Sequence, residues 1–217
     1  MTTLKFDLVN NAKDSLRNAV HALTWSDETS SNKYKHAILS IFHCLELLLK
    51  ERLRKVNPAL VWDNIDKYPS MSANTVGIDK AISRLEKIVG ISLKEDDIDT
   101  IKSCRNLRNI IQHFEFEIPE KEAKVTIGKT LSVIFEFASE DLGFDLDEDF
   151  KNDDTWNLLV EDFYEFAEAH GKRLSELVSS MGGPVATCYY CGQETVDLIL
   201  ERCKLCGRET PDEKTFE

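Results

Sequence analysis

Apolar residues recur every three or four positions over most of this chain, which is the spacing that buries one face of an α-helix. The first such run covers residues 4–23 and is broken by the polar stretch at residues 26–32. A second, strongly apolar run covers residues 33–56, and Pro58 stops it. Strand-like alternation of apolar and polar residues is rare, so the pattern predicts mainly helices.

The same spacing predicts four further helices. We expect a loop around Trp62 at residues 58–75 and helices at residues 77–89, 95–114, 119–141 and 155–181. Pro119 suits the first turn of its helix, where the missing N–H needs no partner. Gly182, Gly183 and Pro184 end the last helix. The sequence therefore predicts an all-α helical bundle followed by a small C-terminal module.

Composition and charge exclude some classes of protein. The chain has 217 residues, of which 42% are hydrophobic and 30% charged, as in ordinary folded proteins. Its net charge of −12 argues against a protein that coats DNA nonspecifically, although a nucleic-acid enzyme needs only a local basic cleft. Much of the acid lies at residues 140–154, which we interpret as a solvated connector.

The sequence shows no pattern typical of a membrane span or a signal peptide. No apolar run approaches the roughly 20 residues that cross a bilayer, and the N-terminal residues lack a signal-peptide core. We therefore expect a cytoplasmic protein without membrane contact. In that reducing compartment its six cysteines should be thiols or metal ligands rather than disulfides.

Four of the cysteines form two Cys-x-x-Cys pairs separated by eleven residues. They are Cys188, Cys191, Cys203 and Cys206. Four thiolates match the tetrahedral preference of zinc, and Gly192 and Gly207 follow the pairs where tight turns are needed. We predict a structural zinc site, whose four protein ligands leave no open position for catalysis. A redox dithiol and an iron–sulfur site are the alternative interpretations.

Two further cysteines and two tyrosines have simpler interpretations. Cys44 and Cys104 lie on apolar helix faces, where buried thiols are common. Tyr189 and Tyr190, inside the first pair, are placed either to stack on a nucleobase or to pack against the last predicted helix.

The helix predicted at residues 95–114 carries a cluster of polar groups in an otherwise apolar segment. The candidate catalytic residues are Arg108, Asn109 and His113, with Arg105 as an alternative cation. Cleavage of a phosphodiester requires a proton shuttle and a fixed cation for the phosphorane charge, and histidine and arginine supply them. On an ideal helix Arg105, Asn109 and His113 lie close to one line, and Arg108 lies about 140° around the helix from His113. The alternative is a solvated polar edge with His113 at the negative end of the helix dipole.

The segment Arg108-Asn109-x-x-x-His113 resembles the Arg-polar-x-x-x-His signature of the HEPN superfamily. The long second helix, with Glu46-Leu-Leu-Leu-Lys50, is similar to the corresponding HEPN helix, and the resemblance covers residues 4–142. It implies a bundle of four or five helices that forms a homodimer with two Arg/His sets in one cleft. We accordingly divide the chain into a HEPN-like bundle at residues 1–142, an acidic connector with an additional helix at 143–183, and a four-cysteine zinc ribbon at 184–217.

The resemblance also implies an activity. Many HEPN proteins are metal-independent endoribonucleases, and a number are toxins or phage-defence effectors, for which an antitoxin or other regulatory partner is expected. In this chain His113 would be general base or acid toward the 2′-hydroxyl and the leaving oxygen. Arg108 would stabilise the phosphorane, and Asn109 would orient the phosphate or the histidine. The expected products from RNA are a 2′,3′-cyclic phosphate and a 5′-hydroxyl.

The residues after His113 favour a second prediction. Phe114-Glu115-Phe116-Glu117 stands where related sequences often carry His-x-Tyr. Glu115 and Glu117 bring negative charge close to the expected RNA cleft. The alternative function is therefore that of a non-catalytic HEPN-like adaptor that binds RNA, a nucleotide or a protein.

Overall fold

The computed structural model of the protein describes residue 4 and residues 6–25, 30–115, 117–146, 150, 154–182 and 184–209. The helices are α1 (Leu8–Thr24), α2 (Ser30–Val56), α3 (Ile78–Arg84), α4 (Glu95–His113), α5 (Glu120–Phe137), α6 (Thr155–Asp162) and α7 (Tyr164–Ser180). The strands β1 (Val185–Ala186), β2 (Val196–Asp197) and β3 (Arg202–Cys203) pair antiparallel in the order β1-β2-β3. The predicted mainly helical fold is thus confirmed, with a small sheet in the C-terminal part.

Local hydrogen bonds determine where the helices begin and end. α1 starts at Leu8 because the Asp7 carboxylate accepts a hydrogen bond from the backbone N–H of Asn10 at 2.8 Å. Short 3₁₀ segments at Pro58–Val61 and Ile65–Lys67 lie within the predicted loop. α3 and α5 each continue into one wider, π-helical turn, at Leu85–Val89 and Ala138–Leu142.

The prediction of one continuous helix at residues 155–181 is wrong. Phe163 has φ −115° and ψ 75°, which lies outside the helical region and separates α6 from α7. Its side chain is buried, and its carbonyl accepts a hydrogen bond from the backbone N–H of Phe166 as the chain turns into α7. The apolar spacing continues across this single residue, so the pattern of side chains does not reveal the break.

The core is built around α2. Its central leucines are fully buried, and α2 contacts α1, α3, α4 and α5. One contiguous cluster of buried side chains extends from α1 to the C-terminal module and includes Cys188, Val196 and Leu205. The division at residues 142 and 183 stays a prediction, because side chains on both sides of each boundary share this cluster. None of the described helices has both the length and the apolarity needed to cross a bilayer.

α5 and α7 approach each other so closely that their backbones touch at Gly128. A Cβ atom at this position would lie 2.5 Å from the carbonyl carbon of Glu165, far inside van der Waals contact. An ion-pair network crosses the same helices, since Arg173 of α7 pairs with Asp97 of α4 and with Glu136 of α5. α7 is therefore packed into the helical bundle, in contact with α5 and linked by ion pairs to α4 and α5.

The C-terminal module is held against α6. Trp156 packs edge-on against Phe135 at 5.2 Å between ring centroids, and its indole N–H donates to the carbonyl of Leu205 at 2.7 Å. At the surface, Arg208 forms an ion pair with Glu161 at 2.7 Å. The module and the bundle are thus joined by a buried hydrogen bond as well as by apolar packing.

Candidate functional site

The four paired cysteines converge at one point of the C-terminal module. Their Sγ atoms all lie within 4.8 Å of one another. The Sγ–Sγ distance is 3.7 Å between Cys188 and Cys206 and also between Cys191 and Cys203. A tetrahedral metal with metal–sulfur bonds of about 2.3 Å requires Sγ–Sγ distances of about 3.8 Å. The arrangement can therefore hold a metal ion with four thiolate ligands.

The same backbone turn places each pair. The N–H of Gly192 donates to the carbonyl of Cys188, and the N–H of Gly207 donates to that of Cys203, each at 2.9 Å. The two glycines have φ of +70° and +72°, in the left-handed region that side chains disfavour. The glycine after each Cys-x-x-Cys pair thus has the conformational role that the sequence indicates.

Hydrogen bonds within the cluster favour ionisation of Cys203. Hydrogen bonds from the Cys191 and Cys206 thiols lower its pKa, and so does the hydrogen bond from the Thr195 hydroxyl at 3.1 Å. The hydrogen bond to Cys203 raises the pKa of Cys191 to about 11. A bound cation would favour loss of the remaining protons, because metal ligation requires thiolates.

The other two cysteines lie in the helical core. Cys44 and Cys104 are almost completely buried, and burial raises the pKa of Cys104 to about 12 and that of Cys44 as well. Neither thiol forms a thiolate near neutral pH, so both act as small apolar side chains.

The tyrosines of the first Cys-x-x-Cys pair point toward solvent. Tyr189 is 74% exposed and Tyr190 is 45% exposed, with their ring centroids 5.5 Å apart. The guanidinium of Arg208 lies 4.9 Å from the centroid of the Tyr190 ring. The exposure of Tyr189 does not fit the alternative of packing against the last helix.

Arg108 lies in a cleft of about 380 Å³ between α2, the start of α3 and α4. Its guanidinium is 5.2 Å from the centroid of the Phe42 ring and donates to the Asn109 side-chain oxygen at 2.9 Å. Among the described residues, no carboxylate forms an ion pair with Arg108. The Phe42 ring and the Asn109 amide therefore orient the Arg108 guanidinium. Within the described residues, no ion pair neutralises its charge.

Arg105 lines the same cleft but differs in its charge balance. It forms an ion pair with Asp79, which belongs to α3 and is 68% exposed. Because Asp79 offsets this charge, Arg105 is less suited to bind a phosphate than Arg108. Neither Phe42 nor Asp79 could be found from the local sequence pattern, since both reach α4 only through tertiary packing.

His113 is the last residue of α4 and is exposed. Its ring meets that of Phe114 edge-on, with 6.5 Å between centroids. Asn109 lies one helical turn before it, or about 6 Å along the axis. His113 is not among the residues that line the Arg108 cleft within one chain. The structure thus brings together Arg105, Arg108 and Asn109, and leaves His113 beside their cleft.

A second cleft, not expected from the sequence, lies on another face of α4. It measures about 610 Å³ and is formed by the N-terminal turns of α2, the C-terminal end of α4, the connection to α5 and the first turn of α5. Leu107, Ile111 and Phe114 line it, together with Glu115 and Glu117. His113 therefore lies between a cationic cleft and a cleft with carboxylates at its edge.

Comparisons with known proteins do not assign this chain to a family. A scan against protein-family models found no match, and searches of curated proteins and of solved structures likewise found none. The resemblance to HEPN domains therefore stays a prediction from the sequence motif.

Proposed function

We propose that this protein is a metal-independent endoribonuclease of the HEPN type, with Arg108, Asn109 and His113 as its catalytic residues. The observation that supports the proposal is the state of Arg108. Its guanidinium is oriented by a ring and an amide, has no carboxylate partner among the described residues, and precedes an exposed histidine by five residues. Such a cation is available to an RNA phosphate.

The roles follow from the chemistry of each group. His113 removes the proton of the 2′-hydroxyl or protonates the leaving 5′-oxygen. The attack of that hydroxyl on phosphorus yields the 2′,3′-cyclic phosphate and a 5′-hydroxyl. Arg108 stabilises the charge on the phosphorane, and Asn109 holds the guanidinium in place through its side-chain oxygen.

We further propose that two copies form the active unit. His113 does not line the Arg108 cleft of its own chain. In this proposal the His113 of a second copy supplies the proton-transfer group over that cleft. Cleavage of cellular RNA would then arrest growth, as expected of a toxin or phage-defence effector restrained by a regulatory partner.

For the cysteine cluster we infer zinc as the bound metal. The two 3.7 Å Sγ–Sγ distances match a tetrahedral zinc site, and its four protein ligands leave no position for substrate. The metal would stabilise the C-terminal module, and RNA cleavage would not depend on it.

The decisive experiment incubates purified protein with total RNA in EDTA and determines the chemistry of the cut ends. Bound zinc is measured in the same samples, so that loss of the module's metal is not mistaken for loss of catalysis. We expect cleavage in EDTA by the wild type and a loss of about 10²–10⁴-fold in His113→Ala, because general acid–base catalysis contributes that much. His21→Ala, which removes an exposed histidine on α1, is the matched control. Equal cleavage by wild type and His113→Ala would refute the proposed catalytic role of His113.

One observation favours the adaptor as second candidate. His113 does not line the cationic cleft, and exposed Glu115 and Glu117 follow it at the edge of the other cleft. An adaptor predicts that labelled RNA or a nucleotide binds without being cleaved, and that Arg108→Ala weakens this binding while His113→Ala leaves it unchanged.

A further inference from the structure

The 610 Å³ cleft beside His113 has an apolar floor. Ile38, Leu107 and Ala123 are buried at its base, and the half-buried Ile111 and Ile118 extend it. Phe114 stands at its edge with 70% of its surface exposed. A large aromatic side chain in solvent next to an apolar floor is typical of a surface that is covered in a complex.

The edge of this cleft is acidic. Glu115, Glu117 and Glu120 line it, whereas Lys35 is the one basic residue among the lining residues of the described chain. Glu120 already accepts a hydrogen bond from the Tyr34 hydroxyl at 3.0 Å and pairs with Lys124 at 3.2 Å. Among the described residues, no cation pairs with Glu115 or Glu117. Two carboxylates are therefore available to a basic partner.

These features select the chemistry of the occupant. Carboxylates at the edge repel RNA and anionic lipid headgroups, while they attract lysine and arginine side chains. Glu115, Glu117 and Glu120 come from successive positions of one stretch of chain that lines the cleft, so several side chains of one segment can meet them in turn. An amphipathic helix with an apolar face and basic flanks satisfies both the floor and the edge.

The position of the cleft connects it with the proposed active site. The two clefts lie on different sides of α4, because Leu107 and Ile111 are each about 160° around the helix from Asn109. His113 immediately precedes Phe114 and Glu115, which line the acidic cleft. The His113 and Phe114 rings meet edge-on, so a segment that covers Phe114 would also lie next to the His113 ring.

We propose that this cleft binds a cationic amphipathic segment of a partner protein, and that the bound segment blocks RNA from His113. The second half of this statement rests on the proposed ribonuclease function, and the first half does not. Glu115 and Glu117 would then serve recognition of the partner rather than contact with RNA.

The binding test uses a defined probe. A fluorescent amphipathic peptide of about 14 residues, made of leucine and lysine in helical spacing, is titrated with the full chain and followed by anisotropy. A peptide in which glutamate replaces each lysine is the matched probe. We expect binding of the lysine peptide, weaker binding at high salt, and at least roughly tenfold weaker binding of the glutamate peptide.

Variants locate the binding surface. Glu115→Gln with Glu117→Gln, and separately Phe114→Ser, change exposed side chains and should each weaken binding of the lysine peptide about tenfold. Glu168→Gln with Glu176→Gln makes the same change of charge on the exposed surface of α7 and should leave binding unchanged. Equal effects of the two double variants, or equal binding of both peptides, would overturn the proposal, as would binding to anionic vesicles that outcompetes the peptide.

The link to catalysis is measured separately. The lysine peptide should inhibit RNA cleavage by the wild type, and the Glu115→Gln, Glu117→Gln variant should resist that inhibition at the same peptide concentration. If the variants change peptide binding as expected but the wild type does not cleave RNA, the docking surface is supported and the proposed ribonuclease function is refuted. Cleavage that is insensitive to bound peptide would refute the blocking of His113.

Discussion

The cysteine cluster and the Arg108 cleft differ in how many parts of the chain each requires. The four cysteines come from two similar turns, and their Sγ atoms lie within 4.8 Å of one another in a single chain. The Arg108 cleft requires α2, α3 and α4, and His113 still lies outside it. A site made by local turns is complete within one chain, whereas a site made between helices depends on tertiary packing and, in our proposal, on a second copy.

The largest effect should come from removal of a cysteine ligand. Cys203→Ser is expected to abolish stoichiometric metal binding, because it removes one of the four thiolate ligands. In small zinc-folded peptides the free energy of zinc binding, about 10–16 kcal/mol, acts as free energy of folding. Metal content by elemental analysis and hydrogen exchange of residues 184–209 would report the loss. The bundle around α2 should keep its protection, since its core consists largely of helical side chains.

Cys104→Ala is the matched control for this variant. It removes a thiol buried in α4 that lies outside the cluster, so metal content should not change. Retention of one metal per chain by Cys203→Ser would show that the cluster is not a four-ligand site and would weaken the contrast with the Arg108 cleft.

A smaller effect, confined to the cleft, should distinguish its two arginines. Arg108→Gln should lower the rate of RNA cleavage by about 10²–10³-fold, which is the usual result of removing one transition-state donor. Arg105→Gln should change the rate by less than about threefold, because Asp79 already offsets its charge. Single-turnover cleavage by the two variants measures the difference. A larger loss in Arg105→Gln would identify Arg105 as the catalytic cation.

The smallest effect concerns the junction between the two regions. Trp156→Phe should lower the free energy of unfolding by about 1–3 kcal/mol, since the buried carbonyl of Leu205 loses its donor. Trp25→Phe, whose indole donates to Thr155 at a more exposed position, should cost no more than about 1 kcal/mol. Chemical denaturation of both variants measures whether Trp156→Phe loses more free energy of unfolding than Trp25→Phe. RNA cleavage by folded Trp156→Phe should equal that of the wild type, because our proposal gives the module no part in the chemistry.

The features that the sequence predicts are those that depend on neighbouring residues. The spacing of apolar side chains locates the long helices, and the glycines after the cysteine pairs indicate the turns that the structure contains. The break at Phe163 is not predicted, because a single irregular residue hardly disturbs the apolar spacing. The apolar pattern also predicts the start of α1 too early, since the helix begins only after the capping carboxylate of Asp7.

The features that decide chemistry on α4 come from distant parts of the chain. Phe42 and Asp79 give Arg108 and Arg105 different environments, and no spacing rule relates these four residues. The acidic residues after His113 are visible in the sequence, but their place at the edge of an apolar cleft depends on how α2, α4 and α5 pack. The role of His113 in RNA cleavage stays a prediction, as do those of Arg108 and Asn109.

The contact at Gly128 limits how this protein can vary. With the backbone of α7 against α5, even a methyl group at residue 128 would force the two helices apart. A shift of α7 away from α5, or replacement of residues 155–180 by a linker, would therefore expose the apolar face of α5 to solvent. The smallest piece of this chain that folds should reach through Ser180, so the helical unit that carries Arg108 and His113 is longer than the segment that resembles HEPN domains.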